Sequence, residues 1–141
     1  MLVRSGVTNV VRKIDHNYNV TTYAGSSTSG YEDGVGTSAE FDEPRGVATD
    51  TSGNVYVADS VYSVIRRIDN AQFVETVAGI GGTDTTVNGP GNLATFDSPI
   101  SIVAAPSGAL YVGSNQASTI RLIQEVQVSA AGKARSSPRS E

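Results

Sequence analysis

Val64-Ile65-Arg66-Arg67-Ile68-Asp69 has two counterparts elsewhere in this chain. One is Val10-Val11-Arg12-Lys13-Ile14-Asp15, and the other is Thr119-Ile120-Arg121-Leu122-Ile123-Gln124. Ile14 and Ile68 are 54 residues apart, and Ile68 and Ile123 are 55 apart. Neighbouring stretches repeat at the same offset. Val20-Thr21-Thr22-Tyr23-Ala24-Gly25 matches Val74-Glu75-Thr76-Val77-Ala78-Gly79. Ala39-Glu40-Phe41-Asp42-Glu43-Pro44 matches Ala94-Thr95-Phe96-Asp97-Ser98-Pro99. Gly53-Asn54-Val55-Tyr56-Val57-Ala58 matches Gly108-Ala109-Leu110-Tyr111-Val112-Gly113. A period of this size signals a repeat architecture.

Each period reads as strands. Gly46 to Asp50 is short and β-prone. Asp50-Thr51-Ser52-Gly53-Asn54 is a turn in which Gly53 can take positive φ, and Gly108 is its counterpart. Val55 to Asp59 is rich in β-branched and aromatic residues. Val64 to Asp69 alternates as a half-buried strand would, and Phe73 to Ala78 follows the turn Asn70-Ala71-Gln72. Four short strands joined by tight turns form an antiparallel meander. No stretch carries an apolar 3.6-residue period of helix length. The expected fold class is all-β, a partial β-propeller of four-stranded antiparallel meander blades, with a core mainly of Val, Ile, Ala and Tyr. Residues 1–25 are expected to supply the last two strands of an incomplete blade. Residues 26–44 form an inter-blade loop, 45–79 a complete blade, 80–99 a second inter-blade loop and 100–129 a degenerate blade. Residues 130–141 read as a disordered tail rich in Ser, Ala and base. Val126 and Val128 offer a substitute edge where the last strand of the third blade would fall.

Composition excludes several functions. There is no Cys, so disulfides, thiolate metal sites and cysteine nucleophiles are out. One His leaves little material for acid–base chemistry. A net charge of -4 argues against a nucleic-acid or anionic-membrane partner. No signal peptide or membrane-length apolar run is visible, and the compartment is not readable.

The middle repeat resembles the NHL-repeat family. The stretches that carry the resemblance are Phe41-Asp42-Glu43-Pro44-Arg45-Gly46-Val47-Ala48-Thr49-Asp50, Gly53-Asn54-Val55-Tyr56-Val57-Ala58-Asp59 and Ile65-Arg66-Arg67-Ile68. The long form of the repeat is matched by Thr22 to Gly25 and Asp33-Gly34-Val35-Gly36. The third repeat departs from the pattern at Ser101, Ala105 and Ser114, which replace Gly46, Asp50 and Asp59. The resemblance implies a propeller and, for most members, a protein-interaction role. It also leaves open a metal-dependent lyase or lactonase, or an RNA-binding module. Propellers have about four to eight blades, and 141 residues supply too few to close one. The chain is therefore expected to be a segment of a longer propeller, or to complete a ring with copies of itself, three for six blades, or to stand as an open arc.

Candidate positions divide into repeat and loop residues. Asp59 should accept hydrogen bonds from the amides of the turn that follows it. Arg12, Arg66 and Arg121 should pair with Asp or with carbonyls of the same or an adjacent blade rather than form an anion-binding ring. The loop Tyr31 to Glu43 carries Glu32, Asp33, Glu40, Asp42 and Glu43 and no base, and is the candidate partner-binding surface. Its spacing fits no EF-hand. Gly34 to Ala39 and Gly89 to Ala94 fit G-x-G-x-x-A but lack the flanking strand and helix of a dinucleotide site. His16 reads as a turn residue, Asn19-Val20-Thr21 as a chance glycosylation sequon, and Lys133, Arg135 and Arg139 as a weak basic run. The expectation is a non-catalytic scaffold with a protein partner, without catalytic, metal-binding or cofactor-binding residues.

Overall fold

The computed structural model describes residues 2–5 and 8–124. Eleven strands form three antiparallel sheets. The first sheet contains β1 (Leu2–Ser5), β2 (Val10–Ile14) and β3 (Val20–Ala24), in that order. The middle sheet contains β4 (Gly34–Val35), β5 (Pro44–Thr49), β6 (Val55–Asp59), β7 (Val64–Ile68) and β8 (Phe73–Ala78), in the order β4-β8-β7-β6-β5. The third contains β9 (Pro99–Ala104), β10 (Leu110–Ser114) and β11 (Thr119–Ile123). The expected all-β meander blades are present. Two details differ from the sequence expectation. The first sheet has three strands rather than two, because Leu2 pairs with Lys13 and Ser5 with Val10. The middle sheet gains a fifth strand from the loop before it, where Gly34 pairs with Val74 and Val35 with Phe73. That two-residue strand covers hydrogen-bonding groups on the outer edge of β8. The expected substitute edge at Val126 and Val128 and the tail 130–141 lie outside the described residues.

The core sits between the sheets. Val11 and Ala24 of the first sheet pack against Phe41, Val55, Val57, Ile68 and Val74. On the other face of the middle sheet, Tyr56, Ala58 and Ile65 pack against Phe96, Ile102, Leu110 and Val112. The middle sheet is covered on both faces, which is why every residue of β6 and β7 is buried. The half-buried strand expected at Val64 to Asp69 is therefore a central one. Its second arginine, Arg67, meets its cross-strand partner Glu75 in a buried ion pair.

The backbone repeats more faithfully than the side chains. Asn9, Ser63 and Ser118 all take left-handed φ, at 51, 58 and 49°, at equivalent positions before the repeated strand. Glu43 and Ser98 form a second such pair, at 52 and 47°. Non-glycine residues rarely occupy this region, so their recurrence marks turn geometry that the stack imposes. The side chain of the first residue also bridges blades. Asn9 Oδ1 accepts from the Glu43 amide at 3.1 Å, and Ser63 Oγ from the Ser98 amide at 3.2 Å.

Gly46 marks the closest approach of two sheets. A Cβ there would lie 2.9 Å from Ser101 Cα and 3.0 Å from Ile102 N. Gly46→Val should force the middle and last sheets apart and cost about 1–3 kcal/mol by the usual penalty for overpacking. Gly89→Ala, whose Cβ meets only ordinary contacts at 3.9 Å, is the control. Urea unfolding reads the difference, and equal midpoints for both variants would show that the sheets are not in close contact at Gly46.

Candidate functional site

The loop between the first and middle sheets is built around one side chain. Arg66 projects from β7 and is fully buried. Its Nη1 donates to the Glu40 carbonyl at 2.9 Å, and its Nη2 donates to the Glu32 carbonyl at 2.9 Å and to Asp33 Oδ1 at 2.8 Å. Asp59 Oδ2 lies 3.5 Å from Nη1, and the guanidinium stands over the Phe41 ring with Cζ 5.2 Å from its centroid. Burying a charge costs several kcal/mol. Four acceptors and an aromatic face offset that cost, since a planar guanidinium can serve several acceptors at once.

The same arrangement recurs 55 residues on. Arg121 Nη1 donates to the Thr95 carbonyl, and Nη2 donates to the Val87 carbonyl at 2.7 Å and to Asn88 Oδ1 at 2.8 Å. Its Cζ is 4.7 Å from the Phe96 centroid. Burial lowers its pKa. The expected carbonyl and carboxylate pairing of Arg66 is present, and Arg121 makes the carbonyl pairing without a carboxylate. The buried Nε atoms of Arg12 and Arg66 alike have no hydrogen-bond partner among the described residues.

Asp59 requires a correction. It accepts from the Asp42 amide at 2.9 Å, in the segment entering β5, and not from the turn that follows it. The reason is register: Asp59 pairs with Pro44 across β5 and β6, so the incoming chain supplies the nearest amide. Ser60 Oγ donates to the Glu43 carbonyl at 2.8 Å and reinforces the junction. Burial pushes the Asp59 carboxyl up to about 7, against the Asp42 amide and the Arg66 guanidinium, which favour its charged form.

The acidic loop residues have separate surroundings. The Asp33 carboxylate is drawn to Arg66. Asp42 Oδ2 accepts from Ser29 Oγ at 2.6 Å, and Glu43 pairs with Arg45 at 2.7 Å. Glu32 and Glu40 contribute backbone carbonyls to Arg66 while Glu32 itself is exposed. Tyr31, 44% exposed, lies against Tyr62 with ring centroids 4.7 Å apart. Gly53 and Gly108 hold φ of 87 and 89° in equivalent turns. Among the described residues no group of three or more His, Asp or Glu could hold a metal. No helix there is long and apolar enough to cross a membrane.

Two features were not read from the sequence. The role of Phe41 and Phe96 as platforms for the arginines was missed, although their shared offset from Arg66 and Arg121 was available. The Arg67–Glu75 pair was missed because cross-strand partnership needs a register, and the sequence supplies none.

Blades of this kind, stacked face to face with inter-blade loops tied into them, define the β-propeller class. Residues 41–63 match the NHL repeat family model. The chain thus carries an NHL repeat at the stretch where the middle sheet begins. NHL repeat-containing protein 2 of Bos taurus is 39% identical over 87 residues, covering 60% of this chain and 12% of that protein. The Homo sapiens protein of that name is 39% identical over 88 residues, covering 60% of this chain and 12% of its own length. The chain thus spans only about an eighth of these relatives. A Bacteroides thetaiotaomicron protein of unknown function matches with a TM-score of 0.82 and 26% identity, over 86% of this chain and 31% of that one. An auxiliary nutrient binding protein of the same organism shares the fold, with a TM-score of 0.73 and 21% identity over 86% of this chain and 33% of that one.

Asp59 generates a pH prediction. Its folded pKa, about 7, lies above the ordinary 3.8. Its contribution to stability is therefore full below about pH 4 and is lost as pH rises through about 7. Wild-type stability relative to Asp59→Asn should fall across that window, as measured by urea unfolding at several pH values. Parallel curves would show that Asp59 does not titrate there.

Proposed function

We propose that the chain acts as a non-catalytic NHL-type β-propeller segment that presents its inter-blade loop 31–43 to a protein partner. The observation that carries this reading is the anchoring of that loop from inside. Arg66 holds the Glu32 and Glu40 carbonyls while Tyr31 and Glu32 remain exposed. A loop held in one shape by the core loses little entropy on binding, and a partner meets a preformed surface. Tyr beside acidic side chains suits a basic partner surface, with Tyr as the apolar anchor. Tyr31→Ala combined with Glu32→Lys leaves the Arg66 contacts to the backbone in place. The double variant should lose at least about tenfold in affinity for partners cross-linked and captured by the wild-type chain, within the range of a binding hot spot. An unchanged partner set and affinity would remove loop 31–43 from the interface.

A second reading concerns self-association, and one observation favours it. Val103 and Leu122 flank Tyr111 in register on the last sheet, with Ile120 one row away. They are 62, 46, 45 and 81% exposed for Val103, Leu122, Tyr111 and Ile120. The corresponding face of the middle sheet, Tyr56 and Ile65, is covered by the last sheet. A second copy could cover this face with Ile14 and Val20 of its first sheet, the counterparts of Ile68 and Val74, which perform that task inside the chain. Copies joined head to tail in this way can close a ring. Sedimentation over a concentration series should show assembly that Ile120→Lys abolishes. A monomer at every concentration would rule the ring out.

A further inference from the structure

We propose that the last sheet binds a small monovalent anion, chloride being the simplest, between Arg121, Ser114 and the backbone N–H of Asp97. The middle sheet supplies the template. There the Asp59 carboxylate joins the Asp42 amide, at 2.9 Å, to Arg66 Nη1, at 3.5 Å. The residues one period later are Asp97, Ser114 and Arg121. Ser114 in place of Asp59 removes the bridging carboxylate, and Asn88 in place of Asp33 removes the second one. The arginine nevertheless keeps its ring platform and its two loop carbonyls.

The groups left around that position are donors. Ser114 is 7% exposed, and its buried Oγ has no partner. Thr119, opposite Ser114 in the β10–β11 register, also has a buried hydroxyl without a partner. Residues directly opposite across two strands share a face, and Arg121, two residues beyond Thr119, shares it too. The Asp97 amide lacks the carboxylate its counterpart bonds. A guanidinium and an amide can only donate, and hydroxyls can. Two buried hydroxyls beside a half-buried cation are satisfied by an acceptor that carries negative charge. Asp is larger than Ser by a carbonyl group, a difference of roughly one water-sized species. That size fits chloride and excludes phosphate or a nucleotide. The proposal does not depend on the partner-binding reading, and loss of either leaves the other standing.

The test is thermal unfolding of the full chain in sodium chloride, sodium bromide and sodium gluconate at matched ionic strength. Gluconate is too large for the site. Chloride and bromide should raise the wild-type melting temperature by a saturable few degrees over gluconate, because a ligand of the folded state alone stabilises by mass action. Ser114→Asp supplies the carboxylate of the middle sheet, so this variant should fold, melt higher in gluconate and lose its halide response. Crystals grown in bromide should show an anomalous peak within hydrogen-bonding reach of Ser114 Oγ. Equal melting in the three salts, a halide response retained by Ser114→Asp, or a water without anomalous signal at Ser114 would each overturn the proposal.

Discussion

A loop that passes between stacked sheets must satisfy its carbonyls away from water, and the buried guanidinium of Arg66 does this for the loop before the middle sheet. Unpaired buried carbonyls cost about 1–3 kcal/mol each. Arg66 takes two of them, binds the side chain of Asp33 and faces Asp59 and Phe41. Its position on the central strand β7, covered on both sides, makes it part of the core and of the loop at once. The junction between neighbouring blades therefore depends on a charged residue as much as on the Val and Ile around it.

Comparison of the two arginine clusters separates what the architecture needs from what one blade adds. Both clusters keep the arginine, the aromatic ring and the two carbonyl acceptors. Only the middle one keeps carboxylates, at Asp33 and Asp59. Hydrogen bonds to the loop backbone suffice to seat the loop, so the ion pairs are additional. This agrees with the modest net worth of buried ion pairs once desolvation is counted. The left-handed residues show the same hierarchy. Asn9 differs in chemistry from Ser63 and Ser118 but shares their backbone conformation, since the chain must reverse at that point to begin the next strand.

Anchoring from within has a consequence for function. The carbonyls of Glu32 and Glu40 that tie the loop down meet Arg66, while the Tyr31 and Glu32 side chains stay exposed. The loop is thus held through its backbone carbonyls, and its exposed side chains are left for the recognition proposed above. The acidic cluster is less uniform than its composition suggests. Asp33, Asp42 and Glu43 already have partners in Arg66, Ser29 and Arg45.

The sequence by itself determined the period, the all-β meander, the turns at Gly53 and Gly108 and the importance of Arg12, Arg66 and Arg121. These are local or periodic signals, and a repeat displays each of them more than once. Only the tertiary structure decided which atoms those arginines meet, because Arg66 and the Glu32 carbonyl are 34 residues apart and are joined by stacking, not by proximity in the chain. The same holds for Asp59, whose partner is set by the register of β5 on β6, and for Arg67, whose burial follows from covering the middle sheet on both faces. Residue type and spacing specify a strand and its faces. What lies against each face is specified by the neighbouring blade, and that neighbour exists only once the chain has folded.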